Sequence, residues 1–147
     1  MPAVRSSSTS SILKNKQIFY PTSKAERDAF RRLSGKGVTQ HQWDVYDFTK
    51  SIPKGQVVRY ADVCRVVGGS PRSVGNALRN NPFAPYIPCH RVIASTLYIG
   101  GFLGEWGPES KTKIQCRRKL EILKDEGVMF TEKGYLEKKE TLWQMHN

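Results

Sequence analysis

The chain has no uninterrupted apolar run of about 18 residues, the least that crosses a bilayer as a helix, so nothing in it reads as a membrane span. Its opening, MPAVRSSSTSSILKNK, lacks the apolar centre of a secretory signal. Cysteine is scarce. The three residues, at 64, 89 and 116, form no CxxC pair and cannot all pair with one another. Free thiols in a reducing, intracellular compartment are therefore expected. Acidic residues are absent from Val63 through Gly104, while Arg65, Arg72, Arg79 and Arg91 all fall in that stretch. No internal repeat appears.

What is present begins with charge: 24 Lys and Arg against 13 Asp and Glu in 147 residues. That length suits one domain with its own core. The basic block favours a polyanionic partner, of which nucleic acid is the usual one. An ordinary solvated basic surface is the alternative, and charge alone does not choose between them. Residues 1–16 are Ser-rich and basic and read as a disordered tail, either a loose DNA contact or a segment with no role. Residues 17–147 read as a single domain.

Local signals give the elements. TSKAERDAFRRL predicts a helix with Ser23 and Glu26 spaced as a capping box, stopped by Gly35-Lys36-Gly37. A second helix starts near Thr39, with Gln42 completing another box and Trp43, Val45, Tyr46, Phe48 and Ile52 facing inward. QVVRYADVCRVVG begins as a short strand and becomes a helix that ends at Gly68-Gly69. Ser70 then caps, and Pro71 opens, a helix over PRSVGNALRNN that Pro82 halts. Two short helices across a glycine turn form a helix-turn-helix pattern, read either as a DNA-reading unit or as a plain structural hairpin. VIASTLYIGGFLG reads as a β-ribbon or wing, EWGPESKTK as a polar loop, and IQCRRKLEILKDEG as a last helix with Leu120 and Leu123 inward. VMFTEKGYL completes a terminal hairpin over 128–136. The expected fold is mostly helical with short β elements, a winged helix-turn-helix domain.

The stretch NPFAPYIPCHRVIAS sets Cys89 between Pro88 and His90. Prolines at 82, 85 and 88 lack backbone donors, which excludes a regular helix and predicts an extended approach to the thiol. A cysteine next to a histidine carries little information alone, because sequence neighbours often point apart and many buried cysteines only fill space.

The surroundings add to it. IPCHRV, preceded by RNNP and by the helix-turn-helix, resembles the O6-alkylguanine-DNA alkyltransferase family, with the parts in order from His41 to Gly127. That family moves the alkyl group of a damaged guanine onto its own cysteine. The resemblance implies that Cys89 is the acceptor and that His90 and Glu126 form its relay. It implies that Tyr60 meets the base and the target phosphate, and that Asn81 holds the turn before the thiol. It also implies that Arg72 is the finger entering the duplex when the guanine leaves. The partner would be double-stranded DNA carrying O6-alkylguanine, approached through the minor groove with little sequence preference. No cofactor would be needed, and the protein would act as a monomer.

The chemistry justifies these residue types independently. Displacing guanine from an alkyl carbon needs a soft, strong nucleophile, and a free thiol is mostly protonated at neutral pH. His90 can take the proton while Glu126 orients the imidazole, and the Tyr60 hydroxyl can support the departing O6. The product is a thioether, so each molecule reacts once. Ser73, Gly75 and Ala77 are small enough for close groove approach. Arg65, Arg79 and Arg91 are further expected DNA contacts.

Two departures from the family pattern fall in the wing. Phe102 and Leu103 occupy positions where relatives often have a tyrosine and then a polar residue or serine. Phe102 can still stack on a base, and the Leu103 amide can still serve O6. Residues 105–112 read as an insertion. The N-terminal ribonuclease-H-like domain of longer members, with its zinc ligands, is missing, so no metal is expected. Cys64 and Cys116 read as structural, and His41 and His146 have no assignable partner. Location follows from substrate: the nucleus in a eukaryote, otherwise the cytoplasm. Three rivals remain. An alkyltransferase-like lesion binder usually has tryptophan where this chain has Cys89. A winged-helix regulator leaves IPCHRV and Glu126 unexplained, and a cysteine hydrolase leaves the basic block unexplained.

Overall fold

The computed structural model describes residues 18–102, 105–106 and 114–144, with the backbone alone at 101, 102, 105, 106 and 114. The expected tail over 1–16, Leu103, His146 and most of the 105–112 insertion lie outside the described residues.

Helix α1, Lys24–Ala29, has the expected capping box: the Ser23 hydroxyl accepts from the Glu26 amide, and the Glu26 carboxylate accepts from the Ser23 amide. It is shorter than the sequence predicts. Phe30 leaves helical geometry (φ −67°, ψ 136°) and turns into an aromatic cluster, its ring centroid 5.0 Å from Phe83 and 6.0 Å from Trp43. Burying a large aromatic ring outweighs one more helical turn on an exposed segment. Helix α2, Gln40–Lys50, starts at Thr39 with Gln42 as expected, and buries Trp43, Val45, Tyr46 and Thr49.

Strand β1, Val58–Arg59, leads directly into α3, Tyr60–Val67, whose first turn is capped by Asp62 accepting from the Arg59 amide. Gly68 and Gly69 both take positive φ (92° and 84°), which reverses the chain at little steric cost. Ser70 caps α4, Pro71–Arg79, with Pro71 in its first turn. Helices α3 and α4 pack on each other and on α2, completing the helix-turn-helix. Val74, Ala77 and Leu78 face the core, while Arg72, Asn76, Arg79 and Asn80 face solvent. The Tyr46 hydroxyl donates to the Ala77 carbonyl at 2.7 Å, fixing α4 to α2 from within the core.

The segment after the thiol differs from the ribbon that the sequence predicts. Strand β2, Val92–Ile93, pairs in parallel with β1, Val58 opposite Val92 and Arg59 opposite Ile93. The wing is a smaller antiparallel pair, β3 (Gly101–Phe102) with β4 (Glu105–Trp106). Between them Tyr98 bridges to Tyr135 of the C-terminal hairpin. Val92 and Ile93 are both fully buried, and an edge-on hairpin would have exposed one of them.

Helix α5, Ile114–Asp125, buries Leu123 and half-buries Leu120, as expected. A terminal hairpin follows, with Phe130 bridged to Leu136. No helix of the described residues is long and apolar enough to cross a membrane.

The Tyr46–Ala77 bond generates the first prediction. Tyr46→Phe keeps the ring but leaves a buried carbonyl without this donor, which should lower unfolding free energy by about 1–2 kcal/mol. Urea denaturation should show a lower midpoint with an unchanged slope. An unmoved midpoint would count the bond as energetically neutral.

Candidate active site and nucleic-acid interface

The approach to Cys89 is a run of turns rather than an extended strand. Phe83 is anchored in the aromatic cluster, and the Ile87 amide reaches back to its carbonyl at 3.0 Å. Asn81 braces the same segment twice, accepting from the Phe83 amide (2.9 Å) and donating to the Ile87 carbonyl (3.0 Å). Prolines exclude a helix, as expected, but a folded loop satisfies its polar groups locally where an extended one would not. Cys89 then opens a single 3-10 turn, Cys89–Arg91, and is 7% exposed.

His90 is the second residue of that turn and equally buried. Its Nε2 lies 3.0 Å from Glu126 Oε2. A carboxylate only accepts, so Nε2 carries a proton and Nδ1 is the acceptor of the neutral ring. Glu126 follows the last turn of α5, its amide held by the Ile122 and Leu123 carbonyls. Burial alone would raise its carboxyl. Hydrogen bonds from His90 and Arg91, together with their charges, instead bring it down to about 2.

Arg91 departs from expectation. Read from the sequence as a DNA contact, it instead donates from Nε and Nη2 to the two Glu126 oxygens (3.0 and 2.9 Å) and from Nη1 to the Ile52 carbonyl (2.8 Å). Its side chain is 16% exposed. A bidentate arginine–carboxylate pair of this geometry commits the guanidinium to Glu126.

Burial pushes the Cys89 thiol up, opposed by a hydrogen bond from Asn81 and by the charge of Lys119. Lys119 is fully buried, and its Nζ donates to the carbonyls of Val92 (2.8 Å) and Ile99 (2.7 Å). Sequence reading missed it. The signal was there: Lys119 stands in register with Cys116, Leu120 and Leu123 on the inward face of α5, where a charged residue breaks the apolar pattern.

Tyr60 starts α3 beside this site. Gly100 has φ +77°, and a Cβ there would lie 3.2 Å from the Ala94 nitrogen and 3.4 Å from the Tyr60 hydroxyl oxygen. The glycine therefore sets how closely the Tyr60 ring approaches the backbone before β3. Phe102 is placed on β3 by its backbone.

On the helix-turn-helix face, Arg72 and Arg79 are exposed. Arg65 is 60% exposed and pairs with Asp62 at 3.2 Å. Ser73, expected at the groove, is half-buried and occupied with capping: its hydroxyl donates to the Ser70 carbonyl and meets His41 Nε2, both at 3.0 Å. His41 thus has the partner that sequence did not supply. A Cβ at Gly75 would meet nothing within 4 Å among the described residues, so no packing there demands that glycine.

Residues 40–128 match the family described as 6-O-methylguanine DNA methyltransferase, DNA binding domain. The chain belongs to that family. Its curated relatives include the methylated-DNA–protein-cysteine methyltransferase of Thermococcus barophilus, 38% identical over 88 residues, covering 59% of this chain and 47% of the relative. The protein of the same name from Methanothermobacter thermautotrophicus is 48% identical over 68 residues, covering 46% and 39%. The chain thus spans about half or less of the length of these relatives. Among solved structures, S. pombe Atl1 in complex with damaged DNA containing O6-carboxymethylguanine is 28% identical with a TM-score of 0.55, covering 72% of this chain and 96% of that one. The O6-methylguanine-DNA methyltransferase of Pyrococcus kodakaraensis is 32% identical with a TM-score of 0.52, covering 65% and 53%. The family's matched span holds Tyr60, Arg72, Cys89, His90 and Glu126.

The buried pairs of Glu126 generate a pH prediction. Its carboxyl sits at about 2 in the fold against an ordinary 4.5. A depressed carboxyl contributes stability above its unfolded value and loses it as pH falls through the folded one. Between pH 5 and pH 2 the protein should lose on the order of 3 kcal/mol that Glu126→Gln does not lose. Parallel urea titrations of the two proteins measure this, and identical pH profiles would place the carboxylate outside the fold's acid sensitivity.

Proposed function

We propose that this protein repairs O6-alkylguanine in duplex DNA by moving the alkyl group irreversibly to Cys89. One observation carries the reading: a buried thiol adjoins a buried His90–Glu126 pair within a helix-turn-helix domain. His90 Nδ1 draws the thiol proton through solvent. The sulfur electron pair attacks the alkyl carbon, the carbon–O6 bond breaks, and guanine leaves as O6 takes up a proton with support from the Tyr60 hydroxyl. The clamp by Arg91 keeps Glu126 ionised, so the imidazole keeps its Nε2 proton and offers Nδ1.

Reaching O6 requires the nucleotide to leave the stack, at roughly a few kcal/mol. Arg72, exposed in the first turn of α4, suits a finger that fills the gap. Gly75, which no packing among the described residues requires, suits close approach of that helix to the minor groove. Arg65 and Arg79 supply phosphate contacts. The protein acts as a monomer without a cofactor, in the nucleus if its source is eukaryotic.

A second reading, lesion binding without transfer, draws on the near-complete overlap with Atl1. Cys89 and its relay argue against it, and mass decides. Mixing with duplex DNA carrying one O6-methylguanine should add one methyl group per molecule, mapped to the peptide containing Cys89. Tight binding with no added mass would establish the second reading, and label on Cys64 or Cys116 would sink the assignment of the acceptor. Arg72→Ala should slow transfer from duplex DNA at least about tenfold more than transfer from the free modified base. Equal slowing on both would place Arg72 in the pocket or the fold instead.

A further inference from the structure

Helix α4 is fastened to α2 at two points. Toward its end the Tyr46 hydroxyl holds the Ala77 carbonyl at 2.7 Å, and in its first turn His41 Nε2 meets the Ser73 hydroxyl at 3.0 Å. The first anchor lies in the core. The second is half-buried, and Ser73 directly follows the exposed Arg72.

The geometry says what the imidazole does there. A serine hydroxyl has one proton and two lone pairs. Ser73 Oγ gives its proton to the Ser70 carbonyl and accepts from the Ser70 amide, both at 3.0 Å. What remains of the hydroxyl accepts, so His41 Nε2 carries a hydrogen and donates it. The space is closed as well. A Cβ on Gly69 would lie 2.5 Å from Ser73 Oγ and 2.7 Å from His41 Cε1. Glycine is thus required twice at this reversal, by its φ of +84° and by the ring packed against it.

A loosely held first turn does not suit the work of Arg72. The opening amides of a helix lack intrahelical partners, and helix ends fray. Driving a finger into a duplex works against stacking and pairing, and that load falls on the turn from which the finger projects. Ser70 secures the turn within α4, whereas His41 ties it to a second helix.

We propose that His41 is a positioning residue for Arg72, locking the first turn of α4 to α2 so that the finger enters the duplex from a rigid base. This rests on Arg72 being the finger of the proposed function.

The test is a double-mutant cycle read by extrusion, a step that occurs whether or not alkyl transfer follows. Duplex DNA carries one O6-methylguanine beside 2-aminopurine, whose fluorescence rises when its neighbour leaves the stack. At saturating protein, His41→Ala should slow that rise about fivefold, and Arg72→Ala at least as much. In the Arg72→Ala background, losing His41 should slow it by less than about twofold more, because residues acting as a unit are not additive. His41→Gln, which keeps a donor, should recover most of the rate. An unslowed rise in His41→Ala overturns the proposal. Full multiplicative slowing in the double variant also overturns it and marks His41 as a brace for the fold alone. A measurement on the unaltered protein keeps the idea testable if His41→Ala fails to fold. Proton–nitrogen NMR of the neutral His41 ring should find the hydrogen on Nε2, and a ring protonated at Nδ1 overturns the contact. Protein that shows the expected cycle but takes no methyl group from the damaged duplex would refute the repair function and leave the role of His41 standing.

Discussion

A carboxylate buried between an imidazole and a guanidinium is the constraint on which the rest depends. Glu126 would be unfavourable at 10% exposure were it not held by His90 on one side and by both arms of Arg91 on the other. Arg91 in turn reaches the Ile52 carbonyl just beyond α2. One cluster therefore fastens the end of α5, the thiol-bearing turn and the helical half of the molecule to one another. Removing a partner would leave a charge stranded in the interior, which is far costlier than the cluster is stabilising. The same contacts that hold the domain closed also fix the tautomer of the imidazole beside Cys89, so architecture and chemistry cannot be varied separately here.

Much of this was legible because it is written in short-range rules. Ser23, Thr39 and Ser70 announce helix starts through hydroxyls that accept the orphan amides three residues on, and the structure has all three. Gly68-Gly69 announces a reversal that other residues would resist. The order of IPCHRV after the helix-turn-helix carried the resemblance, and the matched span of the family begins and ends within one residue of it.

What escaped was set by pairings that no local pattern encodes. Val92-Ile93 looks identical in sequence whether it enters a hairpin or lies parallel to a strand more than thirty residues earlier, and only the fold chooses. Phe30 left its helix because an aromatic cluster assembled from distant segments offered more burial. Arg91 sits in a basic block and reads as surface charge until the position of Glu126 is known. Lys119 was hidden by the assumption that lysine marks the outward face of a helix, although its spacing with Cys116 and Leu123 placed it inward.

The order in which the parts leave the ribosome gives the cluster a temporal meaning. The helix-turn-helix and Cys89 emerge first, whereas Lys119 and Glu126 arrive some thirty to forty residues later, on the last helix. Until α5 docks, Glu126 is not in place to hold His90 and Arg91, and the turn that carries Cys89 lacks its anchor. The surroundings of that thiol are a property of the finished fold rather than of the residue and its sequence neighbours.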